Sequence, residues 1–332
     1  MNPDIHSKLT SPLASPLTLG ELKLRNRLAL APMAGLTDVP FRTQAWRMGA
    51  GYMVSEMVGS KPQLWDTGKS RLRRVSVAGV DINAVQIAGT DPQVMADAAR
   101  SHADAGAQVI DLNFGCPAKK VCRKAAGSAL LADTDLIARI VSAVVASVDV
   151  PVTVKTRLGL QPGDGLGRQA VVAAEQAGAQ MAVLHARTRA CRFVGLVNYA
   201  EVRAIKQSVS IPILINGDID NEQALLSALS QSNADGVMIG RAAVGQPWLF
   251  DQLLGRPIPD QQQQWQVMLN QTNHAHEFYG EYSGVRIIRK HIQAFLNRMG
   301  LSDQLSGFMQ QQSAGGQLDY LHRLAERGMR AA

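Results

Sequence analysis

A cysteine, an asparagine and two lysines meet in the stretch IDLNFGCPAKKV, residues 110–121. Ile110, Asp111 and Leu112 read as the tail of a buried strand. Asn113 to Pro117 then break it, because Gly115 relaxes the backbone and Pro117 removes a donor. Cysteines that serve only packing usually sit inside cores. Cys116 instead follows a strand end and precedes Lys119 and Lys120, which leaves it open as a packing residue, a metal ligand or a reagent. Lys155, in TVKTRLG, lies in another apolar run. A lysine there can form a Schiff base or stabilise negative charge on a bound cofactor.

Eight short apolar runs could position such groups: residues 28–33, 51–56, 83–88, 108–113, 151–156, 180–185, 211–216 and 235–240. Near-continuous Val, Ile and Leu over five or six residues is the pattern of strands buried on both faces. Helix signals fall between them. In residues 91–107, Asp91 can cap, Pro92 suits the first turn and Gly106 ends the helix. Eight strand–helix units predict an α/β fold, a (β/α)8 TIM barrel, over residues 18–254. A doubly wound open sheet is the alternative, but the Gly-x-Gly-x-x-Gly fingerprint is absent after the first strand. Residues 1–17 read as a flexible N-terminal arm. Beyond 255 the strand pattern ends, and 259–278, 284–299, 302–312 and 316–329 read as helices of a small C-terminal domain covering 255–332.

In such barrels, chemistry sits on the loops after the strand C-termini. The strand ends carry Met33, Glu56, Gln86, Asn113, Lys155, His185, Asn216 and Gly240. Any one of these is ordinary loop closure; together they outline a site. The seventh and eighth strands are followed by NGDI (216–219) and GRAA (240–243), the usual phosphate cradle of the fold. Gly217 and Gly240 let backbone amides approach an anion, the following helix offers its N-terminus, and Arg241 adds charge. Three basic stretches, 69–74, 119–124 and 187–192, fall on the same face without an acidic residue, and 284–300 adds Arg286, Arg289, Lys290 and Arg298. Alternating basic loops suit a polyanion larger than a mononucleotide.

Composition bounds the rest. The chain has 332 residues, 46% hydrophobic and 18% charged, with a net charge of +7, which fits a globular protein with an acidic partner. No apolar run approaches the roughly 20 residues needed to span a bilayer. The first residues lack an apolar signal-peptide core, so the expected location is the cytoplasm. Cys116, Cys122 and Cys191 form no C-x-x-C pair, which argues against disulfides. Their spacing with His185 is poor for zinc, and no metal is expected.

Seven motifs then share one pattern in one order: APMAGLTD (31–38), VQIAGTDP (85–92), DLNFGCPAKKV (111–121), VKTRLG (154–159), HARTR (185–189), INGDI (215–219) and MIGRAA (238–243). They resemble the FMN-dependent tRNA-dihydrouridine synthases, and within them the bacterial B subfamily. The resemblance implies NADPH-dependent reduction of a tRNA uridine in the D-loop, position 17, to 5,6-dihydrouridine. Reduced FMN gives hydride to C6 of the uracil, and Cys116 protonates C5. By the same resemblance Pro32, Met33 and Ala34 lie against the flavin, and Gln86 and Lys155 bond its ring. His185 sits beside that ring, while Asn216, Gly217, Asp218, Gly240 and Arg241 hold the phosphate. Asn113 is expected at the target base, and Lys119, Lys120, Arg187, Arg286, Arg289 and Lys290 at the tRNA.

A thiol with an ordinary pKa near 8.5 is mostly protonated at neutral pH and can act as an acid. The neighbouring lysines could instead lower it. The expected partners are tRNA and NADPH, for a monomer without membrane contact. The 284–300 helix is expected to lie outside the phosphate cradle. Read from the residues alone, a Schiff-base lyase of a phosphorylated sugar using Lys155 is the alternative, and a non-enzymatic RNA-binding barrel is a third. The lyase leaves Cys116 and the basic loops without a role.

Overall fold

A parallel sheet of nine segments forms the centre of the computed structural model, which describes residues 12–61, 65 and 67–331. The chain opens with an antiparallel hairpin, β1 (Leu17–Leu19) and β2 (Leu22–Leu24). The barrel strands follow as β3 (Leu28–Leu30), β4 (Tyr52–Met53), β5 (Val58–Gly59), β6 (Ala84–Ala88) and β7 (Val109–Asn113). The second half supplies β8 (Val152–Arg157), β9 (Met181–His185), β10 (Ile213–Asn216) and β11 (Gly236–Ile239). β4 pairs with β3 and β5 pairs with β6, while Val54 between them bridges Ala84. One stretch of chain, 52–59, therefore closes the circle, and the sequence-predicted barrel of eight strands is observed. The hairpin and the separate β5 carry no strand signal in the sequence.

Alternation explains which side chains reach the interior. Met181, Val183 and His185 point inward along β9, whereas Ala182 and Leu184 pack outward under the helices. The same rule turns Val109, Asp111 and Asn113 inward on β7. Interior residues at the lower end are apolar and pack with Leu17, Leu19 and Leu24 of the hairpin, which plugs the barrel floor. The polar residues occupy the last inward positions, at the C-terminal mouth.

The outer layer is α1 (Val39–Arg47), α2 (Gly68–Arg73), α3 (Pro92–Asp104), α4 (Lys119–Cys122), α5 (Thr134–Val145), α6 (Leu166–Gln176), α7 (Tyr199–Lys206), α8 (Glu222–Ser232) and α9 (Leu249–Leu253). α3 begins as its sequence suggests, with the Asp91 side chain accepting from the Val94 N–H and Pro92 in the first turn. Residues 1–11 of the expected arm lie outside the described residues. Leu13 is 1% exposed in the barrel core, and its carbonyl accepts from Arg27 N–H at 2.9 Å.

The tail forms α10 (Gln261–Tyr279), α11 (Glu281–Ile287), α12 (Arg289–Arg298), α13 (Leu305–Gln310) and α14 (Ala314–Ala331). The helix expected over 284–299 is thus two, interrupted at Ile288, which keeps helical dihedrals (φ −64°, ψ −23°). The expected 302–312 helix starts as a 3-10 turn, Ser302–Gln304, before α13. Trp265, Phe295 and Phe308 centre a separate apolar cluster, joined to the barrel through Trp248. Trp265 and Phe295 meet edge to face at 4.8 Å.

Candidate active site

The inward strand ends surround one cavity of about 900 Å³, within the range of small-molecule sites. Its lining includes Pro32, Met33 and Ala34 after β3, Gln86 of β6, Asn113 and Cys116 of β7 and its loop, and Lys155 of β8. His185, Asn216, Gly217, Asp218, Gly240 and Arg241 complete the far wall. Inter-strand register brings these together. Asn113 lies opposite Lys155, and Asn216 lies opposite both His185 and Met238.

The floor is a chain of hydrogen bonds. Thr153 Oγ1 donates to Asp111 Oδ1 at 2.6 Å, and Gln86 Nε2 donates to Asp111 Oδ2 at 2.6 Å. Asn113 Nδ2 donates to Gln86 Oε1 at 2.8 Å. Asn113 Oδ1 accepts in turn from the backbone N–H of Cys116 at 3.0 Å and of Gly115 at 3.3 Å. The Cys116 carbonyl takes Ser128 Oγ at 3.0 Å, which ties the far end of the loop back. Burial pushes the Cys116 thiol above its ordinary value, outweighing Arg157 and Lys155, which act the other way. Burial prevails, and the thiol stays protonated at neutral pH.

The opposite wall is cationic. Lys155 Nζ donates to Asn216 Oδ1 at 3.2 Å, and burial lowers its ammonium to about 8. Burial, followed by the charges of Lys155, Arg157, Arg187 and Arg241, pushes His185 down to about 2, so its ring is neutral. Among the described residues two carboxylates, Asp218 and Asp220, line the cavity, and Asp218 stands among these cations. Arg187 Nη1 donates to it at 2.9 Å and Arg241 lies 3.5 Å away. An anion would complete the balance. A Cβ on Gly240 would come no closer than 3.7 Å to Met33 Sδ, so the missing side chain leaves room within the cradle. The expected helix N-terminus is absent from this wall: α8 starts only at Glu222, and a single 3-10 turn follows Gly240.

The basic residues divide differently from the sequence reading. Lys119 and Lys120 are exposed on α4, and Lys119 lines the cavity. Arg187, expected at the tRNA, is 3% exposed and spent on Asp218 and the Gly195 carbonyl. It lies beneath the mouth because it is buried in the turn just after β9. Arg73 and Arg74, in the first basic stretch, pair with Glu56 at 3.6 Å and with the Trp65 carbonyl at 3.3 Å. In the tail, Arg286 stays exposed and stacks on Tyr282, Arg289 bonds the Gln311 carbonyl, and Lys290 reaches the Gly35 carbonyl at 3.4 Å. The tail does not stay clear of the cradle. Arg298 lines the cavity and donates to the Ala242 carbonyl at 3.0 Å.

Several cavity residues escaped the sequence reading of the site, Arg157, Phe193 and Arg298 among them. Arg157, inward-facing on β8, ties Gly115, Thr188 and Arg192 carbonyls together. Its position in the β8 alternation was the available signal. Phe193 is half exposed over Arg157 and Arg241, each 5.3 Å from its ring centre. Phe193 carries no local signal, and Arg298 carries only that of a basic helix. Among the described residues no three metal-ligating side chains converge, and no helix is long and apolar enough to cross a membrane.

Comparison with known proteins adds three findings. A family model described as dihydrouridine synthase matches residues 29–327. The chain is 46% identical over 323 residues to tRNA-dihydrouridine synthase B of Proteus vulgaris, covering 95% of this chain and 100% of that one. It is 47% identical over 296 residues to the protein of the same name from Escherichia coli strain K12, covering 87% and 92%. Among solved structures, histamine dehydrogenase from Rhizobium sp. 4-9 superposes with a TM-score of 0.55 at 15% identity, over 71% of this chain and 47% of that one. A 6-hydroxypseudooxynicotine amine oxidase from Pseudomonas geniculata N1 gives 0.58 at 14%, over 73% and 49%. The chain spans about half the length of these two, which share its barrel fold.

Proposed function

The chain belongs to the dihydrouridine synthase family, and from that premise we propose that it binds FMN in the barrel mouth and uses NADPH to reduce a D-loop uridine of tRNA, at position 17, to 5,6-dihydrouridine. It is a flavin-dependent oxidoreductase acting on the CH–CH bond of a tRNA uracil. The observation that carries the site assignment is one cavity with two unlike walls. A thiol held protonated by burial stands on one, and cations in excess of carboxylates stand on the other.

The residues present fit a phosphorylated flavin. Gly217 and Gly240 leave the cradle free of side chains, and Arg241 and Asn216 supply a charge and a donor for the phosphate. Lys155 and Gln86 offer N–H groups to the polar edge of a ring, and the apolar Met33 and Ala34 cover its face. Bound reduced flavin supplies hydride for uracil C6. Cys116 delivers the proton to C5 from its Sγ, and the resulting thiolate regains a proton from solvent. Asn113 holds the base, His185 stays neutral beside the ring, and Lys119 and Lys120 grip phosphates around a nucleotide taken out of its stack. The lyase alternative uses Lys155 but gives Cys116 and the Gln86–Asn113 chain no part.

The visible absorption spectrum tests the assignment. The purified protein is expected to be yellow, to bleach with NADPH, and to form dihydrouridine in unmodified tRNA. A colourless protein that neither takes up added FMN nor modifies tRNA overturns it.

A further inference from the structure

Asp111 is 1% exposed and does not line the cavity, yet it begins the hydrogen-bond chain that ends on the Cys116 backbone. We infer that Asp111 is a positioning residue: by accepting from Gln86, its carboxylate sets the direction of the Gln86 and Asn113 amides, and so decides which of their atoms face the substrate base and the Cys116 loop. This rests on the reading of Cys116 and Asn113 given above.

The argument is one of donors and acceptors. Burial raises the Asp111 carboxyl to about 6, so at neutral pH it is ionised and can only accept. At the other end the N–H groups of Gly115 and Cys116 can only donate. Between those ends, one arrangement of two amides makes every contact donor to acceptor. Turning Gln86 over would set its Oε1 against the carboxylate at 2.6 Å and its Nε2 against Asn113 Nδ2. Turning Asn113 over would set an amine against two N–H groups. Such mismatches inside a barrel are costly. With both acceptor positions of Asn113 Oδ1 occupied by backbone, its remaining group is the second N–H of Nδ2. A donor suits a carbonyl of uracil. Asp111 enforces that choice from a strand position below the cavity.

Substitution separates this from simple packing. Asp111→Asn can still present an oxygen to Gln86 and turn its NH2 toward Thr153 Oγ1, which can accept; it is expected within threefold of wild-type kcat. Asp111→Leu offers no acceptor. Loaded with flavin and binding tRNA with unchanged affinity, it is expected to lose at least thirtyfold in kcat for dihydrouridine formation. Iodoacetamide labelling of Cys116, followed by peptide mapping, needs neither flavin nor tRNA. The label is expected at least fivefold faster in Asp111→Leu than in wild type or Asp111→Asn, because the Asn113 cap on the Cys116 N–H is released. Gln86→Glu sets carboxylate against carboxylate and covers the case in which the leucine variant does not fold. Its fast labelling of Cys116 is expected to be slowed again when Asp111→Asn is added, since the new amide can donate. Equal labelling in all these variants overturns the inference, as does an Asp111→Asn loss as large as that of Asp111→Leu. Failure of the functional reading shows separately, as wild-type protein that forms no dihydrouridine.

Discussion

The ring of His291, on α12 of the tail, places Nε2 3.1 Å from the carbonyl oxygen of Leu36, in the β3–α1 loop of the mouth. The ring also lies tilted against Phe41, with ring centres 4.7 Å apart. Beside it, Lys290 reaches the Gly35 carbonyl and Glu56 accepts from the Gly35 N–H. The loop that carries Met33 and Ala34 is thus held from the barrel on one side and from the tail on the other.

His291 should make the fold sensitive to acid. A carbonyl accepts only, so Nε2 carries the proton, and burial lowers the ring to about 4. Its ordinary value is about 6.5, so the native state gains fully above pH 6.5 and loses that gain as pH falls toward 4, up to about 3 kcal/mol. His291→Gln keeps a donor for Leu36 and does not titrate. Its melting temperature should fall less than wild type between pH 7 and 4.5. Identical pH curves would contradict the assignment.

Cys116→Ala should keep its flavin and still be reduced by NADPH, while dihydrouridine formation falls by about a hundredfold or more. In wild type the alkaline limb of kcat should lie above the ordinary thiol value of about 8.5, since burial raises the Cys116 thiol. Wild-type turnover by the alanine variant on unmodified tRNA would remove the acid role.

At Gly217 φ is +130°, and an added Cβ would stand 3.0 Å from Val197 Cγ1 and 3.2 Å from His185 Cδ2. Gly217→Val is expected to close the cradle, and Arg241→Ala to remove its exposed charge. Each should weaken FMN binding about tenfold or more, as read by flavin fluorescence titration. Full flavin occupancy in both would displace the phosphate from β10 and β11.

The tail packs against Gly245, where φ is +74° and a Cβ would lie 2.5 Å from the Phe295 backbone nitrogen. Backbone cannot yield as a flexible side chain can. Gly245→Ala should therefore cost about 1–3 kcal/mol and lower the melting temperature by several degrees. An unchanged melting temperature would mean that the tail is not seated there.

Arg286, Arg289 and Lys290 test the tail as a tRNA surface. Replacing all three by alanine should weaken tRNA binding and flatten its salt dependence, by about one in the log–log slope for each phosphate no longer neutralised. Flavin reduction by NADPH should persist, whereas Arg298→Ala, at the cavity, should also weaken FMN. An unchanged tRNA affinity and slope in the folded triple variant would reduce these residues to solvated surface.

Local chemistry in the sequence determined the eight barrel strands, their order and the polar tips they carry. Apolar runs, caps and breakers act over a few residues, and a period of two fixes which side of a strand Gln86, Asn113, Lys155 and His185 occupy. Cys116 and the glycines of the cradle were legible for the same reason. Helices of the tail were legible except where packing intervened, as at Ile288. Tertiary structure alone decided who meets whom. Asp111 finds Gln86 because β6 and β7 pair in one register and not the next. Arg187 is buried against Asp218 in the turn after β9, and Arg298 arrives from the tail because α12 seats on Gly245. Those contacts join residues 25 to 56 positions apart. Their geometry depends on inter-strand register and on domain packing, which no short window of residues encodes.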